Sequence, residues 1–468
     1  MDEIPISTEV ASNINSVSPN QIGLYKDDKG QYHTSGFVGI KKLYNKDGST
    51  TRITDSIDND YGKEVVLSVS PRFNLNQWEM LSTVMRDNEF ERYTHNDSNK
   101  FFEIFYNEKP IKINTSENGG ELILAMSFVR CCQVLCRKQL KSKLEFTESN
   151  LNGKLRGNIV INKHIKQNLT QGRADRIYCR YPTFSIDTLE NRILKAALSV
   201  ADKIIKNNSN LNEMRKMIRY CKTSFQNVRS VSIKKSDFSS IKITGFNSYW
   251  KDSIDLAKIL LNYGTIDISQ NPEKSNYKMI IPYVIKMESL FEFYVRSKIK
   301  EYLNNNKFDN LKIDKYRTNR DKDVLKTIDN NSGAYLMESY IPDIALMRKC
   351  DIDQEWKYIA VYDVKYQNYI RPSSRDTVRH NSHQLLFYML LLNVNKCGFI
   401  FPELKLDQKI NRTEEAIIEN TKIYTLNIQD GNASKQPQKE YTQWIIGNNQ
   451  CEINFTFEKM IKYSMDIN

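Results

Sequence analysis

The sequence lacks most of the features that assign a function at sight. Its eight cysteines show no paired C-x-x-C spacing, and its five histidines, His380 and His383 among them, have no cysteine pair beside them. A zinc-organised domain is therefore excluded. Cys132 and Cys136 fall one helical turn apart in an apolar run and read as small core residues. There is no Gly-x-x-x-x-Gly-Lys-Ser/Thr phosphate loop, so the chain is not expected to hydrolyse nucleotide itself. No uninterrupted apolar run reaches the roughly 18 residues of a membrane span, and Met1-Asp2-Glu3 opens no secretory signal. The expectation is a reduced, cytoplasmic setting with no membrane contact.

Acidic residues are the scarcer charge: 56 against 68 Lys plus Arg, for a net charge of +12. An excess of this size argues for a polyanionic partner and says nothing of the fold. A lysine-, asparagine- and isoleucine-rich composition of the kind AT-rich genomes produce accounts for it equally well. Aromatic residues make up 11% of the chain, which favours folded cores over disorder. A length of 468 residues exceeds what one core usually supports, so two or three domains are expected.

Residues 1–120 read as a β-rich, polar domain. Turn signals stand at Asp27-Asp28-Lys29-Gly30, Lys46-Asp47-Gly48 and Asp60-Tyr61-Gly62, with strands expected at Gly36–Ile40 and Val65–Val69. Residues 121–275 turn mainly helical and basic. Leu122, Met126, Val129 and Leu135 form an apolar stripe among Arg130, Arg137, Lys138, Lys141 and Lys143, which read as a solvated face. A second helix follows, with Ser185 or Asp187 as its expected cap, and then a basic segment with Arg215, Lys216, Arg219 and Lys222. Asn271-Pro272-Glu273-Lys274-Ser275-Asn276 reads as a linker.

Residues 276–468 carry the chemistry. Tyr340–Leu346 and Tyr358–Tyr366 are rich in β-branched and aromatic residues and read as adjacent strands. Alternation along the second strand puts Asp363 and Lys365 on one face and Val364 on the other, beside a strand carrying Asp343. Two carboxylates with few other ligands suit Mg²⁺, which keeps much of its water, and a neighbouring ammonium suits a phosphate oxygen or an attacking water. Asp-x-Lys also occurs at Asp27-Asp28-Lys29 and Asp407-Gln408-Lys409, but only Asp363 ends a long apolar run.

Upstream, Met287, Leu290, Phe291, Tyr294 and Ile299 recur at helical spacing, with Glu288 at the margin of that stripe, one turn from Glu292. Downstream, a loop with Arg371, Arg375 and Arg379 leads into an apolar helix carrying Gln384 and Tyr388 on one face. A buried amide without partners costs about 1–3 kcal/mol, so Gln384 is expected to bond to a site side chain or a phosphate.

The order of acid-bearing helix, Pro342-Asp343, Asp363-Val364-Lys365 and Gln384-x-x-x-Tyr388 resembles the PD-(D/E)xK nuclease fold, and more narrowly the McrC family, the nuclease subunit of modification-dependent restriction systems. Leu155-Arg156-Gly157-Asn158-Ile159, Tyr181–Asp187 and Glu190–Lys195 are similar to that family's middle region, which extends the resemblance over roughly residues 150–400.

The fold it implies is α/β. A restriction-endonuclease-like C-terminal domain, with a mixed sheet flanked by helices, follows a β-rich N-terminal domain and a helical middle region. The activity it implies is Mg²⁺-dependent endonucleolytic cleavage of double-stranded, modified DNA. Asp343, Asp363 and Glu288 would hold the metal, with a possible ligand from the Val364 carbonyl. Lys365 would stabilise the transition state, Gln384 and Tyr388 would support the site, and Arg371, Arg375 and Arg379 would approach phosphates. The implied partner is a hexameric McrB-like AAA+ NTPase that binds GTP or ATP, with the β-rich N-terminal part docking to it. The competing expectation is a catalytically silent adaptor that activates such a ring and guides DNA.

Overall fold

The computed structural model describes residues 4–5, 24–26, 32–34, 36–44, 49–50, 52, 64, 66–90, 102–105, 108, 111–113, 119–208, 211–241, 250–269, 278–314, 325–326, 335–337, 342–368, 375–405, 421–426 and 439–466. By contacts the chain divides into two units, residues 1–113 with 279–468, and residues 114–278. The edges expected near 120 and 275 fall close to these boundaries, but the first and last stretches belong to one unit and not to two domains. The expected turns at 27–30, 46–48 and 60–62 and the 271–276 linker lie outside the described residues.

In the first unit, β1 (Phe37–Lys42) pairs antiparallel with β2 (Val66–Val69). Helix α1 (Gln77–Arg86) starts at Asn76, whose side chain accepts hydrogen bonds from the Trp78 and Glu79 amides, as an N-cap does. It buries Met80, Leu81, Val84 and Met85. Strand β3 (Phe102–Ile104) follows.

The second unit is built on α2 (Gly119–Lys138). By length and composition α2 is the one helix among the described residues apolar enough to cross a membrane, and 72% of that window is buried within the protein, as in the core helix of a soluble fold. Arg130 is not on a solvated face: it is buried and donates to Gln133 Oε1 at 2.9 Å. A three-stranded antiparallel sheet follows, β4 (Lys143–Asn152), β5 (Asn158–Ile159) and β6 (Arg176–Ser185), with β6 in the middle. Register sets Leu144 opposite Phe184 and Phe146 opposite Pro182 on one face. Leu144, Phe146 and Phe184 are all exposed there.

Helices α3 (Leu189–Lys206), α4 (Asn212–Ser224) and α5 (Lys251–Ser269) pack around α2. The cap of α3 is Thr188, whose hydroxyl accepts from the Asn191 amide, and not Ser185 or Asp187. Asp187 instead receives Arg192 through both of its oxygens, at 2.7 Å each, and also receives Arg229.

Back in the first unit, β7 (Tyr283–Lys286) lies between β1 and β3, antiparallel to both. Gly39 sits opposite Val284 with φ +147°, and a Cβ added there would stand 2.2 Å from the Tyr283 carbonyl oxygen, so only glycine fits. Strand β7 runs straight into the expected acid-bearing helix, α6 (Met287–Asn305), whose Met287, Leu290, Phe291, Tyr294 and Ile299 are buried as the spacing predicts.

The main sheet comprises β8 (Leu311–Ile313), β9 (Ile344–Lys349), β10 (Trp356–Val364), then after helix α7 (Arg375–Leu392) β11 (Lys396–Pro402), β12 (Thr421–Leu426) and β13 (Lys439–Ile446). Its order is β8-β9-β10-β11-β13-β12. Strands β10, β11 and β13 are parallel and the other pairings antiparallel, so the sheet is mixed. Helix α7 makes the parallel crossover and packs Leu385, Tyr388, Met389 and Leu392 on Val361, Cys397, Phe399 and Phe401. Helix α8 (Gln450–Ser464) contacts β13, and α6 contacts β10. Residues 71–76 are fastened to the ends of the parallel strands: the Asn74 amide donates to the Glu403 carbonyl at 2.9 Å and Lys405 Nζ to the Pro71 carbonyl at 2.6 Å.

Candidate active site

The expected pair of adjacent strands is present, with Ile344 opposite Tyr362 in an antiparallel ladder. Asp343 occupies the bend just before β9, and Asp363 is the penultimate residue of β10. The Asp343 Oδ2 accepts the Val364 N–H at 2.6 Å, which stitches the bend to the end of β10. Val364 thus contributes its amide to the cluster. Lys365 follows directly, its own N–H donating to the Ile400 carbonyl of β11 at 2.9 Å. The site therefore lies at the carboxyl ends of two parallel strands, where the open edge of an α/β sheet leaves room for a ligand.

Asp363 is 1% exposed. Its Oδ2 forms an ion pair with Lys365 Nζ at 2.8 Å, and its Oδ1 has no hydrogen-bond partner among the described residues. Lys365 Nζ also donates to Gln384 Oε1 at 3.2 Å, and Gln384 Nε2 donates to the Tyr388 hydroxyl at 3.0 Å. The glutamine expected to need a partner has two, and both were expected site residues. Tyr366 is held between Phe73 and Phe291, at ring distances of 4.7 and 5.8 Å, which fixes the chain just beyond the lysine.

Charge is concentrated here. Burial, then the Glu292 and Asp363 carboxylates, push the Asp343 carboxyl well above the usual range, and Lys365 and the Val364 amide offset only part of that. Burial alone would lower the Lys365 ammonium, but Asp363, Asp343 and Glu288 outweigh it and hold its pKa above the ordinary lysine value. Burial raises the Tyr388 phenol to about 12, with Asp343, Asp363 and Glu292 adding to the shift.

Glu288 is exposed at the start of α6, its carboxylate lying over Gly36. Glu292, one turn further and partly buried, is the helix acid that acts on both Asp343 and Tyr388. Its only sequence signal is the i, i+4 relation to Glu288, which puts both on one helix face. Arg296 was also missed: buried in α6, it donates to the Asp343 carbonyl at 2.9 Å. Arg375 and Arg379 belong to helix α7 and not to a preceding loop. Arg379 is exposed, while Arg371 and the Arg375 side chain lie outside the described residues.

Among the described residues no group of three or more His, Cys, Asp or Glu side chains is gathered as a metal cluster. Two aspartates remain, an oxygen-only set that suits Mg²⁺, which takes one or two carboxylates and keeps its waters. The unpartnered Asp363 Oδ1 and the mutual repulsion of Asp343, Asp363 and Glu292 are what a divalent cation would relieve.

Fold and site together define a mixed α/β protein with a carboxylate–lysine cluster at the carboxyl edge of its main sheet. The model of one family, the McrBC 5-methylcytosine restriction system component, matches residues 60–402, and the chain belongs to that family. Among solved structures it is similar to a Thermococcus gammatolerans assembly of McrB AAA+ hexamers with bound McrC, at 12% identity over 99% of this chain and 98% of that one, TM-score 0.36. It is also similar to the Thermococcus gammatolerans McrBC complex, at 12% identity over 63% of this chain and 78% of that one, TM-score 0.27. A search of curated proteins gives no match.

Proposed function

We propose that this chain is the Mg²⁺-dependent DNA endonuclease subunit of an McrBC-type restriction system, built on a PD-(D/E)xK domain and active when coupled to an McrB-like AAA+ ring. The observation that carries the reading is the convergence of Asp343, Asp363, Lys365 and Gln384 at one sheet edge, with a buried carboxylate oxygen left unpartnered. Asp343 and Asp363 would hold the metal, with Glu292 or Glu288 through water. A bound Mg²⁺ supplies charge neutralisation at the scissile phosphate and a more acidic water.

The chain's own groups do the rest. Lys365, kept cationic by the acids around it, offers Nζ to a phosphate oxygen and stabilises charge as it builds there. Gln384 aims that ammonium and is in turn held by Tyr388. The net charge of +12 and exposed Arg379 favour approach of a polyanion.

Coupling to a nucleotide-driven ring is supported by the family, by the absence of a phosphate loop in this chain, and by the exposed Leu144, Phe146 and Phe184 face of the β4–β6 ribbon. Incubating the purified chain, with and without an McrB-like AAA+ protein, with methylated and unmethylated DNA, Mg²⁺ and GTP tests the proposal. Cleavage that needs Mg²⁺ and the partner supports it. NTPase stimulation with intact DNA under every condition makes the chain an adaptor instead.

A further inference from the structure

We propose that Arg296 is a positioning residue of this site, setting the Asp343 carboxylate by gripping the Asp343 main chain from helix α6. The proposal rests on the metal-site reading above. Arg296 is 1% exposed and is among the largest fully buried side chains of the protein. A guanidinium this deep is tolerated only where most of its donors are met; here both terminal nitrogens make hydrogen bonds, while the buried Nε has an ion-pair contact and no hydrogen bond among the described residues. Its Nη1 donates to the Asp343 carbonyl at 2.9 Å, its Nη2 donates to the Asp314 carbonyl, and its Nε lies 3.7 Å from Glu89 Oε2.

The two carbonyls belong to neighbouring strands. Asp314 follows β8, and Asp343 precedes β9, which pairs with β8. Asp314 is itself braced, its amide donating to the Ala345 carbonyl at 2.9 Å and its Oδ2 accepting the Tyr358 hydroxyl at 2.8 Å. A planar, rigid fork spanning both carbonyls fixes the peptide on which the Asp343 side chain turns. With Oδ2 already tied to the Val364 amide, the carboxylate has little freedom left. Glu292 stands one turn before Arg296 on the same helix, so α6 places an acid beside the site and fixes the site's aspartate with one rigid element. Arg296 reaches Asp343 through its peptide, so its effect is on where the ligand sits.

Groups that orient a metal ligand change affinity or activity by about 10–100-fold when removed. In the full-length chain, Arg296→Lys and Arg296→Ala are expected to weaken Mn²⁺ binding, followed by electron paramagnetic resonance, by about 10–100-fold. The half-saturating Mg²⁺ for DNA cleavage with the AAA+ partner should rise in parallel. Added guanidinium ion should restore part of the loss in Arg296→Ala but not in Asp363→Ala.

Folding is checked by circular dichroism at the assay temperature, because a purely structural arginine would lower thermal stability and leave metal dependence unmoved. A folded variant with wild-type Mn²⁺ affinity and wild-type Mg²⁺ dependence overturns the proposal. Should neither arginine variant fold, Tyr358→Phe removes the Asp314 brace, and an unchanged Mn²⁺ affinity there overturns it equally. Wild-type protein that binds no Mn²⁺ fails the metal-site reading itself. Binding that is lost in Asp363→Ala and intact in Arg296→Lys fails only the positioning role.

Discussion

Two acids on one helix divide the work unequally. Glu292 is partly buried and acts on Asp343, whereas Glu288 is exposed and acts on Lys365. Glu292→Gln is therefore expected to lower Mg²⁺-dependent cleavage by about tenfold or more, and Glu288→Gln by less, in paired assays at saturating DNA. The reverse order would restore Glu288 as the principal helix acid. The pairing of Asp363 with Lys365 and of Gln384 with Tyr388 was legible in the sequence because each pair lies on a short period, two along a strand or four along a helix, whereas Asp343 was read from Pro342-Asp343 and the family resemblance. Glu292 and Arg296 were not, since periodicity says which residues share a face but not which turn of α6 meets β9 and β10. That depends on packing between segments distant in sequence.

Among the elements, β7 carries a constraint that lies outside the site itself. It enters α6 directly and lies against Gly39 of β1, where a Cβ would stand 2.2 Å from the Tyr283 carbonyl oxygen at a φ of +147°. Gly39→Ala is expected to destabilise the first unit by about 1–3 kcal/mol, read from urea unfolding, with cleavage falling as the folded fraction falls. In the second unit, Arg192 and then Arg229 hold the Asp187 carboxyl far below the usual carboxylate range. A depressed carboxylate stabilises the fold above its unfolded pKa, near 4, and loses that contribution as pH falls. Asp187→Asn should therefore cost stability at pH 7, and the gap to wild type should narrow below about pH 4 in thermal unfolding. The hairpin of β9 and β10 and helix α7 were readable from alternation and apolar spacing. The cap was not: Ser185, Asp187 and Thr188 are all capping residue types, and only Thr188 has its hydroxyl at the Asn191 amide.

On the scale of the whole chain, segments from the first hundred or so residues are built into the same unit as the main sheet. Strands β1 and β3 flank β7, and residues 71–76 close over the ends of the parallel strands. Composition could separate β-rich from helical stretches, but not show that the first stretch pairs with residues near 283, because such pairing leaves no local pattern. A chain starting at residue 279 is accordingly expected to aggregate or to lack a cooperative unfolding transition, against the alternative of an autonomous nuclease with a sharp one. The exposed ribbon face predicts that Phe184→Ser, on a side chain 80% exposed, leaves folding intact and, on the proposed function, lowers stimulation of the NTPase of an McrB-like ring. The proposed chemistry turns on one buried carboxylate, Asp363. The most direct measurement is Mg²⁺-dependent cleavage of modified plasmid DNA by wild-type and Asp363→Ala proteins, each with the AAA+ partner and GTP. Cleavage by the wild type alone, with partner binding and NTPase stimulation kept by Asp363→Ala, is the predicted result; equal cleavage by both contradicts it.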